Sequence, residues 1–278
     1  MGESGQRYSL AELLRVMQRL RDPDHGCPWD LCQNFHSIVP STLEECYELA
    51  QAIEHGEFDH VEEELGDVLF QVVFYTQLGR EQGLFSFESV VDTLVTKLIR
   101  RHPHVFAKGE IEGVVEVRTS VEDVKRSWEA IKQRERDSKD HGGVLADVPL
   151  ALPALPRAQK VQKRAAQVNF DWTDSHAVLD KLQEELDELR RALGNRNQEE
   201  VRDEMGDVLF TCVNLARHLG LDAEASLRQA TGKFERRFRY LEGIAAARGV
   251  SLSALTPDQY DALWRQSKEA LQDSQPDL

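Results

Sequence analysis

A chain of 278 residues, at roughly 150 per domain, holds about two domains and can bury a core without disulfides or a structural metal. Hydrophobic residues make up 41% and charged residues 30%, which excludes a disordered chain. Asp and Glu number 49 against 34 Lys and Arg, and the resulting charge of −15 works against coating a nucleic acid or an anionic membrane. A local basic pocket stays compatible with that field.

From Met1 to Met17 there is no apolar centre of a signal peptide, and no run of about 18 apolar residues follows anywhere, so no membrane span is expected. Cys27, Cys32, Cys46 and Cys212 are scattered, which argues against a disulfide framework and fits a reducing cytoplasm. His25, Cys27 and Cys32 are loosely spaced with no second ligand pair, so zinc is not expected there.

A first acidic segment begins at Glu44-Glu45-Cys46-Tyr47-Glu48-Leu49 and breaks at His55-Gly56-Glu57. Beyond the break, Leu65, Val68, Leu69, Val72 and Val73 follow the 3–4 spacing of an amphipathic helix. His102-Pro103-His104 resembles a ligand pair, but its counterpart later in the chain is Phe238-Arg239-Tyr240, so it reads as a structural or loop-capping element. Val114 to Val117 comes nearest to a strand. A polar stretch from Arg134 to Gly143, then Pro149, Pro153 and Pro156, places the boundary: a module over 1–135, a linker over 136–156 and a second module over 157–278. Val148, Leu150, Leu152 and Leu155 are apolar enough for the linker to pack on a domain. Helical periodicity returns at Leu182, Leu186, Leu189 and Leu193, breaks over Gly194-Asn195-Arg196-Asn197, and resumes at Val201, Met205, Val208, Leu209 and Val213. The fold class expected is all-α, with two tandem helical-bundle modules.

The modules are copies of one unit. At an offset of 140, Glu44-Glu45-Cys46-Tyr47-Glu48-Leu49 recurs as Glu184-Glu185-Leu186-Asp187-Glu188-Leu189, and Glu64-Leu65-Gly66-Asp67 recurs as Glu204-Met205-Gly206-Asp207. Downstream the offset is 136: Lys97, Arg100 and Arg101 match Lys233, Arg236 and Arg237, while Trp128 and Lys132 match Trp264 and Lys268.

Glu45 and Glu48 share a helix face, as do Glu64 and Asp67, and a turn at Gly56 sends the second helix back along the first. The same holds for Glu185, Glu188, Glu204 and Asp207. Like charges about 4 Å apart repel by roughly 4 kcal/mol at an effective dielectric of about 20. A divalent cation relieves that repulsion, and an all-oxygen donor set without a matched histidine favours Mg²⁺ or Mn²⁺ over zinc or di-iron. The plain alternative is a solvated acidic face paired with Lys and Arg. Gly66 and Gly206, each costing about 1 kcal/mol against alanine in a helix, point to close helix–helix approach. Lys233, Arg236 and Arg237 offer an ammonium and guanidinium forks for phosphate oxygens; Trp264, one turn before Lys268, can stack on a base. Here the alternative is a salt-bridged surface helix with Trp264 as a core anchor. With the acidic quartets, the set points to a nucleotide polyphosphate. Phosphate-loop, dinucleotide-fingerprint, nucleophile-elbow and EF-hand spacings are absent.

Together these residues resemble the MazG family of nucleoside triphosphate pyrophosphohydrolases. The resemblance rests on Arg19-Leu20-Arg21-Asp22-Pro23, Gly26-Cys27-Pro28-Trp29-Asp30, the two acidic units, Arg101-His102-Pro103-His104-Val105-Phe106, Asn169-Phe170-Asp171-Trp172 and Lys233-Phe234-Glu235-Arg236-Arg237-Phe238. It implies all-α modules, Mg²⁺ dependence (with Mn²⁺ as a substitute), a homodimer, and cleavage of broad NTP and dNTP substrates to the monophosphate and diphosphate in nucleotide house-cleaning or regulation. It also implies that the C-terminal module carries the nucleotide site. Metal and catalytic roles fall to Glu185, Glu188, Glu204 and Asp207, with a second such set at Glu45, Glu48, Glu64 and Asp67. Substrate contacts fall to Lys181, Leu182, Gln183, Glu184, Glu185, Glu200, Val201, Arg202, Asp203, Asp207, Lys233, Phe234, Glu235, Arg236, Arg237, Trp264 and Lys268. The copies differ where Lys181 and Glu200 face Ser41 and His60 in the first.

Overall fold

The computed structural model describes residues 7–113, 120–137 and 143–272. Every regular element among them is helical, so the chain is all-α. The segment from Val114 to Val117 lies outside the described residues. The chain divides between Arg136 and Asp137 into two compact units.

In the first unit, Ser9 and Glu12 cap α1 (Leu10–Leu20) reciprocally: the Ser9 hydroxyl accepts from the Glu12 N–H, and the Glu12 carboxylate accepts from the Ser9 N–H at 2.7 Å. A short α2 (Pro28–Cys32) starts on Pro28, whose missing N–H costs nothing in a first turn. α3 (Val39–His55) ends at Gly56, which takes the left-handed conformation (φ 70°, ψ 22°) that a glycine adopts without strain. The chain then reverses into α4 (Phe58–Glu81), and the two helices pack side by side. α5 (Phe87–Arg101) and α6 (Val121–Asp137) complete the unit.

The core lies where α1 crosses α4. Met17, Ile38, Val73, Phe74 and Leu78 are buried together. The apolar stripe of α4 is wider than this core needs: Val73 is fully buried, while Leu65 is 53% exposed and Leu69 40%. At one edge the buried Arg21 donates from Nε and an Nη to the two Glu81 oxygens at 2.8 and 2.7 Å, its guanidinium 5.4 Å from the Phe74 ring centroid. Gly79 is required by contact, since a Cβ there would lie 2.5 Å from the Phe85 ring.

The second unit repeats the hairpin. α7 (Ala154–Ala166) packs on α9 (Gln198–His218) and α10 (Ala223–Ala247). α8 (Ser175–Asn195) is capped by Asp174, whose carboxylate accepts from the N–H groups of His176 and Ala177 at 2.8 and 2.9 Å. It packs along α9, and α10 packs against α11 (Pro257–Gln272). Val178, Leu189, Ala192, Val213, Leu241, Ala245 and Leu263 are buried in this unit, and Val148 ahead of α7 is buried as well.

The reversal between α8 and α9 falls at Arg196, within the expected break over Gly194-Asn195-Arg196-Asn197 but not on its glycine. Helix continues through Asn195, and Arg196 takes the left-handed position (φ 54°, ψ 29°) that Gly56 holds in the first unit. A side chain there costs roughly 1–2 kcal/mol, against about 0.5–1 kcal/mol for the extra freedom of an unfolded glycine. Arg196→Gly is therefore expected to stabilise the second unit by about 0.5 kcal/mol. A urea midpoint that stayed put or fell would contradict this.

Gly66 and Gly206 correct an expectation. Apart from the adjoining backbone of its own helix, no heavy atom of the described structure lies within 4 Å of a Cβ built at either position. Packing within the unit does not explain these glycines; both sit on open faces of α4 and α9.

Candidate functional site

In the second unit, α8 and α9 run side by side and bring Glu185, Glu204 and Asp207 together. One carboxylate oxygen from each lies within 4.8 Å of the others. Glu185 is 5% exposed, and Lys181, one turn earlier, places Nζ 2.8 Å from its Oε1 and also 2.8 Å from Glu184 Oε1. Those bonds, to Glu184 first and then Glu185, hold the ammonium protonated. Burial, then the charges of Glu188 and Glu185, raise the Glu204 carboxyl above its ordinary value; burial, Glu185 and Asp203 raise Asp207, with Lys181 opposing. Glu188 stands outside the trio, since its Oε1 accepts from Arg191 at 2.9 Å. Leu182, Gln183 and Glu184 directly precede Glu185 on α8, and Glu200, Val201, Arg202 and Asp203 lie within the first two turns of α9 ahead of Glu204.

The first unit builds a related cluster from Glu45, Glu48 and Glu64, whose carboxylate oxygens again lie within 4.8 Å. Asp67 is outside that trio, yet after burial its charge is the largest influence raising Glu45. Glu64 is raised too, by burial and then by Glu48 and Asp67. Its Oε2 is buried with no hydrogen-bond partner. A buried, unpartnered carboxylate oxygen beside two more carboxylates is an arrangement that calls for a cation. No lysine stands where Lys181 does, because the position is Ser41. His60, facing Glu200 in the repeat, is bound locally to Glu57 at 2.8 Å.

The basic residues lie on other helices. Lys233, Phe234, Glu235, Arg236 and Arg237 are on α10; Trp264 and Lys268 are on α11. Phe234 joins the helices, its ring centroid 5.3 Å from that of Trp264. Among the described residues Lys233, Arg236, Arg237 and Lys268 make no ion pair, whereas Glu235 is paired with Arg239 at 3.4 Å. In the first unit, the counterparts Arg100 and Arg101 both bind Glu135.

The model of the MazG nucleotide pyrophosphohydrolase domain matches the chain twice, over residues 33–106 and 173–241. The chain is a MazG-family protein. It is 49% identical over 263 residues to the nucleoside triphosphate pyrophosphohydrolase of Escherichia coli K12, covering 93% of this chain and 97% of that one. It is 43% identical over 257 residues to the nucleoside triphosphate pyrophosphohydrolase/pyrophosphatase MazG of Thermotoga maritima, covering 92% and 94%. A solved mazG-related protein from Thermotoga maritima overlays with a TM-score of 0.37 at 24% identity, over 45% of this chain and 99% of that one.

Each MazG match spans one carboxylate cluster and one basic cluster, but ends before Trp128 and Lys132 or Trp264 and Lys268. Two features of the site escape a reading of spacing alone. The Glu188–Arg191 pair has an i,i+3 signal in the sequence, but which carboxylate turns toward an arginine is a rotamer choice. The pairing of Glu135 with Arg100 and Arg101 spans about 35 residues and leaves no local signal. His102 caps α5, its Nδ1 2.7 Å from the Leu98 carbonyl oxygen, which matches the structural reading of His102-Pro103-His104.

Proposed function

We propose that this MazG protein hydrolyses nucleoside triphosphates, ribo and deoxyribo alike, to the monophosphate and diphosphate, with Mg²⁺ as the working cation and Mn²⁺ as a substitute. The observation that carries the reading is the convergence of Glu185, Glu204 and Asp207 from two helices into one oxygen cluster, in which burial first and neighbouring carboxylates second raise Glu204 and Asp207. The names of its relatives supply the substrate class. Glu185, Glu204 and Asp207, joined by Glu188 once Arg191 lets it go, would hold the cation. When bound, the cation neutralises phosphate charge and makes water a better nucleophile at neutral pH.

The protein's own groups do the rest. A carboxylate of the cluster takes a proton from the attacking water, whose oxygen bonds to the α-phosphorus. The bond from that phosphorus to the bridging oxygen breaks, and diphosphate leaves with the electron pair. Arg236, Arg237 and Lys233 neutralise the leaving charge, and Trp264 offers a stacking face to the base. Stacking reads any base, which favours broad specificity and a house-cleaning role. Product separation after incubation with each NTP and dNTP tests the reading: nucleoside monophosphate and diphosphate are expected, and nucleoside diphosphate with orthophosphate would overturn it.

The same proposal includes a homodimer. Leu65, Leu69 and Val72 on α4, and Met205, Leu209 and Phe210 on α9, are exposed beside Gly66 and Gly206, whose open faces leave room for close approach. Light scattering is expected to give twice the chain mass of 31.7 kDa. A mass of one chain at micromolar concentration would exclude the dimer. Among the described residues no helix is long and apolar enough to cross a membrane. The free thiols of Cys27, Cys32, Cys46 and Cys212 favour the cytoplasm as its compartment.

A further inference from the structure

The basic clusters of the two modules share a sequence pattern but not a state. Arg236 and Arg237 have no ion pair among the described residues. Arg100 donates from Nε to Glu135 Oε1 at 2.9 Å and from an Nη at 2.7 Å. Arg101 reaches Oε1 from Nε at 3.3 Å and binds Oε2 through an Nη. One carboxylate thus meets two guanidinium groups with both its oxygens, as two oxygens of a phosphate would. The Glu135 side chain is 19% exposed and that of Arg101 22%.

The helix that carries Glu135 explains how it arrives there. Trp128, Lys132 and Glu135 follow i, i+4, i+7 spacing, so α6 presents them on one face. At the offset of 136, the second module has Trp264, Lys268 and Leu271. The tryptophan and lysine are repeated, and the carboxylate is replaced by a side chain that cannot bind a guanidinium. Trp128 is occupied as well, with Lys132 Nζ 3.8 Å from its ring centroid. In the second module the Trp264 ring lies against Phe234 instead.

We infer that the first module holds a second polyphosphate-binding site, built on Arg100 and Arg101, which Glu135 keeps closed by occupying both guanidinium groups. This rests on the reading that Arg236 and Arg237 receive phosphate in the second module. The two arginines, the Arg101 bonds foremost, pull the Glu135 carboxyl down to about 2, so it stays anionic and stays bound wherever the protein is folded and active. An internal partner acts at an effective concentration in the millimolar range, so a free nucleotide at lower concentration does not displace it. The first module therefore keeps a carboxylate cluster for a cation while its phosphate-binding groups are satisfied from within.

Calorimetry of the full chain with α,β-methylene-ATP and MgCl₂ tests this, because that probe binds without being cleaved at the α–β position. The wild-type chain is expected to take up one equivalent, lost in Arg236→Ala/Arg237→Ala. Glu135→Leu, which installs the second module's residue, and the size-conserving Glu135→Gln are each expected to take up two. The reverse change, Leu271→Glu, is expected to weaken the wild-type site at least tenfold. If both Glu135 variants bind one equivalent and lose only thermal stability, Glu135 is a clamp between α5 and α6 and the inference falls while the proposed function stands. Two equivalents in the wild type would show that Glu135 closes nothing. No binding by the wild type would remove the proposed function, and the inference with it. Should Glu135→Leu fail to fold, Leu271→Glu decides: undiminished binding by that variant overturns the inference.

Discussion

Glu185→Gln is expected to lower turnover by about 100-fold or more, whereas Glu45→Gln/Glu48→Gln is expected to change it by less than about threefold. The asymmetry has physical causes. Glu185 is buried in the trio and oriented by Lys181, so its carboxylate is already in place before a cation arrives. Replacing it by an amide removes a charge and one oxygen donor without changing side-chain size. It also removes a source of repulsion from Glu204 and Asp207, so the folded state is not expected to weaken. Glu45 and Glu48 belong to a cluster with no lysine at the Lys181 position and with its arginines held by Glu135. Glu188→Gln separates two arrangements. Because Arg191 holds Glu188, a loss of about tenfold is expected, smaller than that at Glu185. Initial rates of diphosphate release under saturating Mg²⁺ measure all these variants. Equal losses from Glu45→Gln/Glu48→Gln and from Glu185→Gln would show that the modules share the chemistry.

The sequence is most informative where one residue type is the cheap solution to a geometric demand. Gly56 is such a case: a left-handed turn between antiparallel helices favours glycine, and the structure puts the turn there. Gly194 offers the same signal but sits inside α8, while Arg196 takes the strained conformation instead. Helix pairing is legible in the acidic spacing, because i,i+3 carboxylates share a helix face and can meet across adjacent antiparallel helices. The composition of each trio does not follow. Glu188 and Asp67 satisfy the same spacing as their neighbours, yet both fall outside the clustered oxygens, Glu188 with its carboxylate on Arg191. Gly66 and Gly206 invite an argument from packing density that the open space around them contradicts. The Glu135 clamp is illegible for a different reason: a charged residue on a charged helix predicts some ion pair, but not which one. Comparison of the two copies makes it visible, because Leu271 cannot serve the same purpose.

Without a divalent cation, the chain is expected to lose thermal stability as pH rises above the ordinary carboxylate range toward neutrality, and Mg²⁺ is expected to abolish the loss. Glu45, Glu64, Glu204 and Asp207 are all raised, by burial first and by neighbouring carboxylates second. A group that holds its proton more tightly folded than unfolded favours the folded state below its unfolded value. That contribution disappears as pH climbs through the folded value. Glu81, Glu135 and Asp171 act in the opposite sense: arginine partners lower them, and their contribution is lost when acid protonates them. The cation-free chain therefore has a stability maximum on the acid side of neutrality, bounded below by the arginine pairs and above by the carboxylate clusters. A bound cation favours the deprotonated clusters and leaves the arginine pairs untouched, so it lifts the upper limb alone. At a concentration 100 times its Kd a cation adds about 2.7 kcal/mol, which corresponds to a Tm rise of roughly 5–10 °C for a chain of this size. Melting curves in EDTA and in MgCl₂ across this pH range measure the gap, which should widen as pH rises and shrink in Glu204→Gln. Parallel curves would mean that these carboxylates do not take up the cation, and the metal-centre reading of both clusters would fall.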